Sequence, residues 1–459
     1  MFKKSEYICK DGNQTHTPSF IYNGFRYVLA EGITEEQANA DLLTYLKISS
    51  LPDCAGEFAC SDEVINKIQE AAVRSDISNF NYFPTDCPQR EKNGWTADAS
   101  LSAEQMLLNL YPEKCYKEWM RSIYKALNDN GQLPGIIPTG GWGYHWGNGP
   151  AWDNVIINLP YFTYIYRGDK EILEELSTPL MRYLNYLFSR LDKDGIMEIG
   201  LGDWCPPGVK EDEFKTPLAV TDTILTYDIA VKSAFVYEVL GQQPQRQFAL
   251  SLAERVKAAF REKLFNKETG KIKGGTQTGQ AMAIYYGLLT EEEKPKSLKL
   301  LIKYIDYENG HFYTGVLGGR VLYRVLAENG YVDLAYNMIV RPDYPSYGNW
   351  IKRALPRFGR ALPRGRQSVI AQSPFLGRYF GMVLYIPCGY KNKPTGRDVT
   401  NIDIAPLFPE KLNSVCAHYD TPNGKIAINW ERTDENSFIL KITAAEKLHG
   451  KSFCPRALP

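Results

Sequence analysis

Between Phe83 and Ser100 the chain reads FPTDCPQREKNGWTADAS. It gathers Asp86, Glu91, Asp98, Arg90 and Trp95 in a stretch with no single helical or strand period. Residues of these types can do acid–base chemistry. Cleaving a glycosidic bond needs one carboxyl that stays protonated near neutral pH and a second carboxylate that activates water or attacks. Like-charge repulsion from Asp86 and Asp98 would raise the pKa of Glu91, and Arg90 would lower it. Two blander readings stand beside this one. The stretch can be a solvated loop, and Asp98 can be an acid matched to a helix dipole.

Two further segments have the composition of a sugar platform. Gly131–Asp153, GQLPGIIPTGGWGYHWGNGPAWD, holds seven glycines with Trp142, Tyr144, His145, Trp146 and Trp152. A loop of this length inside a compact domain is usually functional or disordered, and so many large aromatics argue against disorder. It reads equally as a lid packing its own aromatics. His145 has no partner pattern and is expected to make a structural hydrogen bond. In Gly200–Gly208, GLGDWCPPG, Asp203 could meet sugar hydroxyls while Trp204 stacks; an ordinary turn is the alternative.

These segments need elements to hold them. Pro84 and Pro88 forbid a helix in the first, and Thr96 is placed to cap the helix that follows. Residues 1–60 read as short extended pieces, YICK, FIYNGFRYVLA and LLTYLKI. The period changes at Ser61, a candidate N-cap, after which Ile65, Ile68, Ala72 and Ser75 recur at helical spacing. Helical patterns follow over 96–110, 112–130, 151–167, 170–191, 221–240, 244–264, 279–289, 293–307, 315–328 and 332–340. No strand runs intervene, which excludes an α/β fold. From about residue 399 alternation returns in NIDIAPLF, LNSVCAHYDT, GKIAINWER and SFILKITA, with PNGK as a hairpin turn. The expected fold is mainly α: an (α/α) barrel, a toroid of helix pairs, over 61–398. β-Modules flank it, a truncated N-terminal one over 1–60 and a C-terminal β-sandwich over 399–459. A helical solenoid is the alternative, but no fixed-period repeat supports it.

Composition narrows the function. The 53 basic and 53 acidic residues balance, so nothing electrostatic points to nucleic acid or an anionic membrane. Nine scattered cysteines show no metal-ligand spacing, which suits reduced thiols in the cytoplasm. No metal is expected from this spacing.

The residues PTDCPQREKNGWTADA closely resemble the signature of bacterial α-L-rhamnosidases, glycoside hydrolase family 78. Supporting similarities run in the family's order: YNGFRYV (22–28), PAW (150–152), GDW (202–204), GHFYTG (310–315), YPSYGNWI (344–351) and APLFP (405–409). The resemblance implies an (α/α)6 barrel that hydrolyses terminal α-L-rhamnosides with inversion and without a redox cofactor. By the same resemblance Glu91 is the general acid. Asp86, Arg90, Trp95 and Asp98 hold the rhamnose, and Trp152 and Trp204 are aromatic walls. Family members carry an acid shortly after the tryptophan of PAW; Asn154 aligns with it and Asp153 is adjacent. A rhamnose-containing glycoside is the implied partner, and a homodimer is compatible with the family. A related barrel hydrolase or lyase for another sugar, and a non-catalytic sugar-binding protein, are the alternatives.

One segment departs from the family. Its general base is a glutamate in a Gly-Ala-Thr-Thr-Leu-Trp-Glu segment soon after the PSYG match. Here Tyr344–Arg397 contains no Asp or Glu in 54 residues, where the chain-wide frequency would give about six. A codon set for Arg353–Arg360 exists that, read from its third base, encodes Gly-Ala-Thr-Thr-Leu-Trp-Glu. Another for Ala371–Tyr379, read from its second base, encodes Leu-Asn-His-His-Phe-Leu-Gly-Asp. The segment is therefore read as translated out of frame, with the phase restored before Asn401. The tail after Lys447 reads as a further slip. The general base, expected near Phe358–Arg360, would then be missing from this chain.

Overall fold

The first helix begins where the period changes, but its cap is Asp62 rather than Ser61. The Asp62 carboxylate accepts from the amides of Val64 (2.7 Å) and Ile65 (3.1 Å), satisfying two of the donors a helix start leaves open. Ser61 points elsewhere: its hydroxyl accepts from the amides of Asn413 and Ser414. The computed structural model describes residues 4–25, 27–51, 54–209, 213–354, 390–392, 402–435, 437–448 and 450–452.

In chain order the elements are β1 (Gly56–Cys60), α1 (Glu63–Ser78), β2 (Phe80–Asn81), β3 (Phe83–Pro84), α2 (Thr96–Asn109), α3 (Glu113–Ala126), α4 (Pro150–Asp153), α5 (Val155–Arg167), α6 (Glu171–Arg190), α7 (Leu218–Leu240) and α8 (Gln243–Lys263). After them come β4 (Phe265–Asn266), β5 (Lys271–Ile272), α9 (Gln277–Tyr285), α10 (Lys294–Tyr307), α11 (Val316–Glu328), α12 (Val332–Val340), α13 (Tyr347–Ala354), β6 (Tyr390–Asn392), β7 (Ile402–Ile404), β8 (Ser414–Thr421), β9 (Gly424–Asp434) and β10 (Ser437–Ala444).

Burial alternates along the helix series. In α3 the buried residues are Tyr116, Trp119, Met120 and Ile123, a single stripe at i, i+3, i+4 and i+7. Each stands to contribute on the order of 1.5–3 kcal/mol by leaving water. The next helix inward, α5, is buried nearly all round, as are α2, α9 and α11. A helix buried on every side must be surrounded by others. The chain therefore lays down outer and inner helices in turn, α1/α2, α3/α5, α6/α7, α8/α9 and α10/α11. Helix α13 packs on both α12 and α1, which returns the series to its start. This is the toroid of helix pairs that the sequence predicts.

The departures are local. The helix expected over 112–130 stops at Ala126, because Asn128 folds the chain into a turn: Gly131 N donates to Asn128 O at 3.0 Å and Gln132 N to Asn128 Oδ1 at 3.1 Å. The helix expected over 151–167 is split at Asn154 into α4 and α5. The strands expected near the N-terminus do not form among described residues 4–51. β1 does form, in the C-terminal sheet, whose antiparallel order is β1-β8-β9-β10. The PNGK turn is a two-residue hairpin with Thr421 paired to Gly424. On one face Val415, Ala417 and Tyr419 lie opposite Trp430, Ile428 and Ile426, all buried. That face docks on the barrel through Arg167, which donates to Tyr419 Oη (2.6 Å), Leu107 O (2.6 Å) and Leu110 O (2.9 Å).

Candidate active site

The acid-rich stretch is fixed by backbone pairing before any side chain is considered. After the β2–β3 hairpin, Thr85 N donates to Asn79 O (2.8 Å), Asp86 N to Asn93 O (3.0 Å) and Lys92 N to Cys87 O (3.2 Å). Residues 86–93 thus form a closed loop. Its exit is stitched to the glycine-rich segment: Ile137 N donates to Gly94 O (2.8 Å), Thr96 N to Gly135 O (2.9 Å), and Trp95 bridges Ile136. Thr96 is the first residue of α2 and Trp95 caps it without a side-chain bond. The Thr96 hydroxyl binds Gly135 O instead of capping the helix.

Glu91 is held at both oxygens. Oε1 accepts from Arg90 Nη2 at 2.9 Å and Oε2 from the Trp95 indole at 3.1 Å, while the side chain stays 33 % exposed. Asp86 is buried behind it. Its Oδ1 accepts from Asn93 N (2.9 Å) and its Oδ2 from the Cys87 thiol (2.8 Å). Burial, reinforced by the charge of Glu91, pushes the Asp86 carboxyl up to about 6. Asp98 is buried in the first turn of α2. The cluster thus brings Asp86, Arg90, Glu91 and Trp95 together.

Cys87 was not legible as part of it. The thiol donates to Asp86, and its sulfur accepts from Glu91 N at 3.2 Å, so one buried side chain sets the spacing of both acids. A cysteine next to one acid and four residues before another was the available signal. Asp86, Cys87 and Glu91 each present a ligand-type atom within 4.8 Å of the others. Burial and the neighbouring Asp86 push the thiol up to about 11. At neutral pH the trio offers a thiol rather than the thiolate a metal takes.

Aromatic surface flanks Glu91. Trp95 meets Trp146 edge-on (5.2 Å), Trp146 stacks on Trp142 (5.4 Å), and Trp142 and Trp146 are each about half exposed. Tyr144 anchors their loop by donating to Ala126 O at 2.7 Å. His145 is exposed and makes no hydrogen bond among the described residues, contrary to its expected structural role. Gly147 is indispensable here: at φ +75° its Cβ would fall 2.6 Å from Trp95 Cζ3. Gly147→Ala should push the indole off Glu91 and cost at least ~1–2 kcal/mol in backbone strain. A lowered urea midpoint with a shifted tryptophan emission spectrum is the expected reading.

The remaining candidates are placed differently. Trp152 is 4 % exposed, within α4, and presents almost no surface. Asp153 beside it is fully buried, with Oδ2 accepting from Gly149 N (3.0 Å) and Tyr183 Oη (3.3 Å); burial pushes its carboxyl well above the usual range. Asn154 accepts from Ser100 Oγ at 2.5 Å and belongs to the inter-helix packing of α2 with α5. Trp204 is half-buried and its carbonyl accepts from Val316 N (2.9 Å). Asp203 corrects the expectation of a sugar contact. It is 1 % exposed, with Oδ1 accepting from the amides of Leu317 (2.9 Å) and Gly318 (3.0 Å) and Oδ2 from Gly315 N (2.8 Å) and the Thr278 hydroxyl. Four protein donors occupy it as the cap of α11. The expected general-base position near Phe358–Arg360 lies outside the described residues.

Paired helices in a ring, with carboxyls and aromatics gathered at the N-terminal ends of the inner set, define a six-hairpin glycosidase type of molecule. The family model of the bacterial alpha-L-rhamnosidase 6 hairpin glycosidase domain matches residues 53–354, and that of the bacterial alpha-L-rhamnosidase C-terminal domain matches 400–444. The chain belongs to this bacterial α-L-rhamnosidase family. It is 28 % identical over 459 aligned residues to an alpha-L-rhamnosidase of Formosa agariphila, covering 93 % of this chain and 47 % of that protein. The structure of alpha-L-rhamnosidase from Dictyoglumus thermophilum superposes with a TM-score of 0.80 at 28 % identity, over 88 % of this chain and 46 % of that one. The Streptomyces avermitilis alpha-L-rhamnosidase complexed with L-rhamnose shares the fold at TM-score 0.79 and 22 % identity, over 89 % and 39 %. The chain spans about half the length of the curated relatives it matches.

Proposed function

We propose that this chain is the catalytic part of a glycoside hydrolase that removes terminal α-L-rhamnose from rhamnosides by an inverting acid–base mechanism, and that as written it lacks its general base. The observation that carries the reading is Glu91, held between Arg90 and the Trp95 indole yet still open to solvent, with Asp86 buried behind it. Glu91 would protonate the glycosidic oxygen as the bond to the leaving group breaks. Asp86 and Arg90 would hold sugar hydroxyls, with Trp95 as the apolar wall. An inverting enzyme places its base roughly 6.5–9.5 Å from the acid, leaving room for the attacking water.

The base side is where family likeness lapses. The two family models stop at residue 354 and resume at 400, and Tyr344–Arg397 contains no carboxylate. Both facts support the out-of-frame reading of this interval. Hydrolysis of an aryl α-L-rhamnoside, by this chain and by a version with Leu-Trp-Glu restored, is the test. A restored version that is also inactive overturns the proposal. The missing carboxylates also favour a second reading, a sugar-binding chain that holds rhamnose without turnover; calorimetry with L-rhamnose beside the activity assay separates the two. Rhamnose-bearing glycosides are the proposed partners, a homodimer the proposed assembly and the cytoplasm the proposed location.

Binding has its own pH signature. An ionised Asp86 accepts hydroxyl hydrogen bonds more strongly than its acid form. L-Rhamnose affinity by calorimetry should therefore rise as pH increases through about 6, where Asp86 loses its proton. Glu91→Gln removes the like charge that helps hold this proton and should move the midpoint to lower pH. A flat profile across that range would count against Asp86 as a sugar contact.

A further inference from the structure

Residues 4–48 form no helix or strand among the described residues, and nearly all of them are exposed. Tyr22, Asn23 and Gly24 are the consecutive exception. All three are partly buried, and they lie against the acid loop, residues 86–93. Gly24 N donates to Pro88 O at 3.1 Å. A Cβ on Gly24 would fall 3.0 Å from both Gln89 N and the Pro88 carbonyl carbon, so a residue with a side chain would crowd this approach of backbone to backbone.

Lys92 grips the same segment from the far side of the loop. Its ammonium donates to Tyr22 O and lies 4.7 Å from the centroid of the Tyr22 ring. Lys92 adopts a left-handed φ of +58°, which a non-glycine residue keeps where its surroundings hold it. Pro88 precedes Glu91 by three residues and Lys92 follows it directly. The two contacts therefore bracket the acid, while the Arg90 and Glu91 side chains stay 54 % and 33 % exposed. The chain after the segment is anchored again on the β2–β3 hairpin that leads into the loop: Ser50 N donates to Phe80 O (2.9 Å), and Tyr82 N to Ser50 Oγ (3.0 Å). A loop closed by its own hydrogen bonds can still tilt as a unit; a second chain tied to both of its sides opposes that tilt.

We propose that Tyr22–Gly24 is a strap that holds the acid loop in the arrangement that takes substrate, with Tyr22, Gly24 and Lys92 as positioning residues for Arg90 and Glu91. The proposal rests on the rhamnoside reading of that loop and adds to the site a segment that lies before the hairpin-domain match at 53–354.

Hydrogen exchange of the 86–93 amides, beside L-rhamnose calorimetry and a urea titration, tests it on the full chain. Lys92→Met removes the ammonium that grips Tyr22, and Tyr22→Ala removes the ring that faces it. Each should speed exchange in the loop by about tenfold and weaken L-rhamnose binding by about tenfold, the loss of one charge-assisted contact. The urea midpoint should stay in place. Tyr22→Phe keeps the ring and the backbone carbonyl and should leave exchange and affinity as they are. A lowered urea midpoint with L-rhamnose affinity kept would show packing rather than positioning and overturn the proposal, as would unchanged exchange in both variants. If the unsubstituted chain does not bind L-rhamnose, the rhamnoside reading falls by itself, and loop exchange alone decides whether the strap holds the loop.

Discussion

Restoring the Gly-Ala-Thr-Thr-Leu-Trp-Glu reading at Arg353–Arg360 should raise hydrolysis of an aryl α-L-rhamnoside by about 10²–10⁴-fold over the chain as it stands, the range that one positioned acid or base contributes. The gain comes from activating water on the face opposite Glu91. In the restored chain Glu91→Gln should remove a similar factor, but unequally across substrates. A leaving group with a high pKa needs the proton that Glu91 supplies, whereas a good leaving group such as nitrophenolate departs with little help. Loss should therefore be steep for the former and shallow for the latter. Equal loss for both would mean that Glu91 acts as something other than the acid. Glu91→Gln also keeps an acceptor for the Trp95 indole, bonded at 3.1 Å, so local geometry is largely retained.

Asp203→Ala should lower stability by about 3–5 kcal/mol, read as a fall in the urea midpoint. Removing the carboxylate leaves the amides of Gly315, Leu317 and Gly318 and the Thr278 hydroxyl without their acceptor in a buried site. Asparagine would recover little, because its NH2 group faces donors. The outcome separates two roles for the GDW motif. If Asp203 held sugar, Asp203→Asn would weaken L-rhamnose binding and leave the midpoint in place. The cap predicts the reverse emphasis: a large stability loss with L-rhamnose binding largely kept.

Much of the helix series was legible because outer helices show an apolar stripe at 3.6-residue spacing, as α3 does, and inner helices are buried nearly all round even where they carry polar residues. The strands of the C-terminal sheet were legible from their alternation. What failed has common physical causes. Ser61 and Thr96 are good caps by type, but tertiary partners claimed their hydroxyls: the Asn413 and Ser414 amides in one case and Gly135 O in the other. Asp203 had the right neighbours for a sugar contact, yet its role depends on a helix start more than a hundred residues later, which no local pattern encodes. The N-terminal strands lacked pairing partners in the described chain, since propensity alone does not make a sheet. The Glu91 constellation was legible as chemistry, and its exact spacing, set through Cys87, was not.

The pairing of β1 with β8 joins residues roughly 360 positions apart, Gly56 opposite Tyr419. During synthesis β1 emerges long before its partner, so the sheet can be completed only after the whole ring of helices has left the ribosome. The fold is in that sense a belt whose buckle is made last. A single uncorrected slip after Arg353 would lose the tongue of that buckle, because every later residue would be misread. The proposed slips return the phase before Asn401, and β8 to β10 remain in register with β1. On that proposal the same arithmetic would erase one wall of the site and spare the fastening of the barrel, so this chain would keep the architecture of its family while losing half of its chemistry.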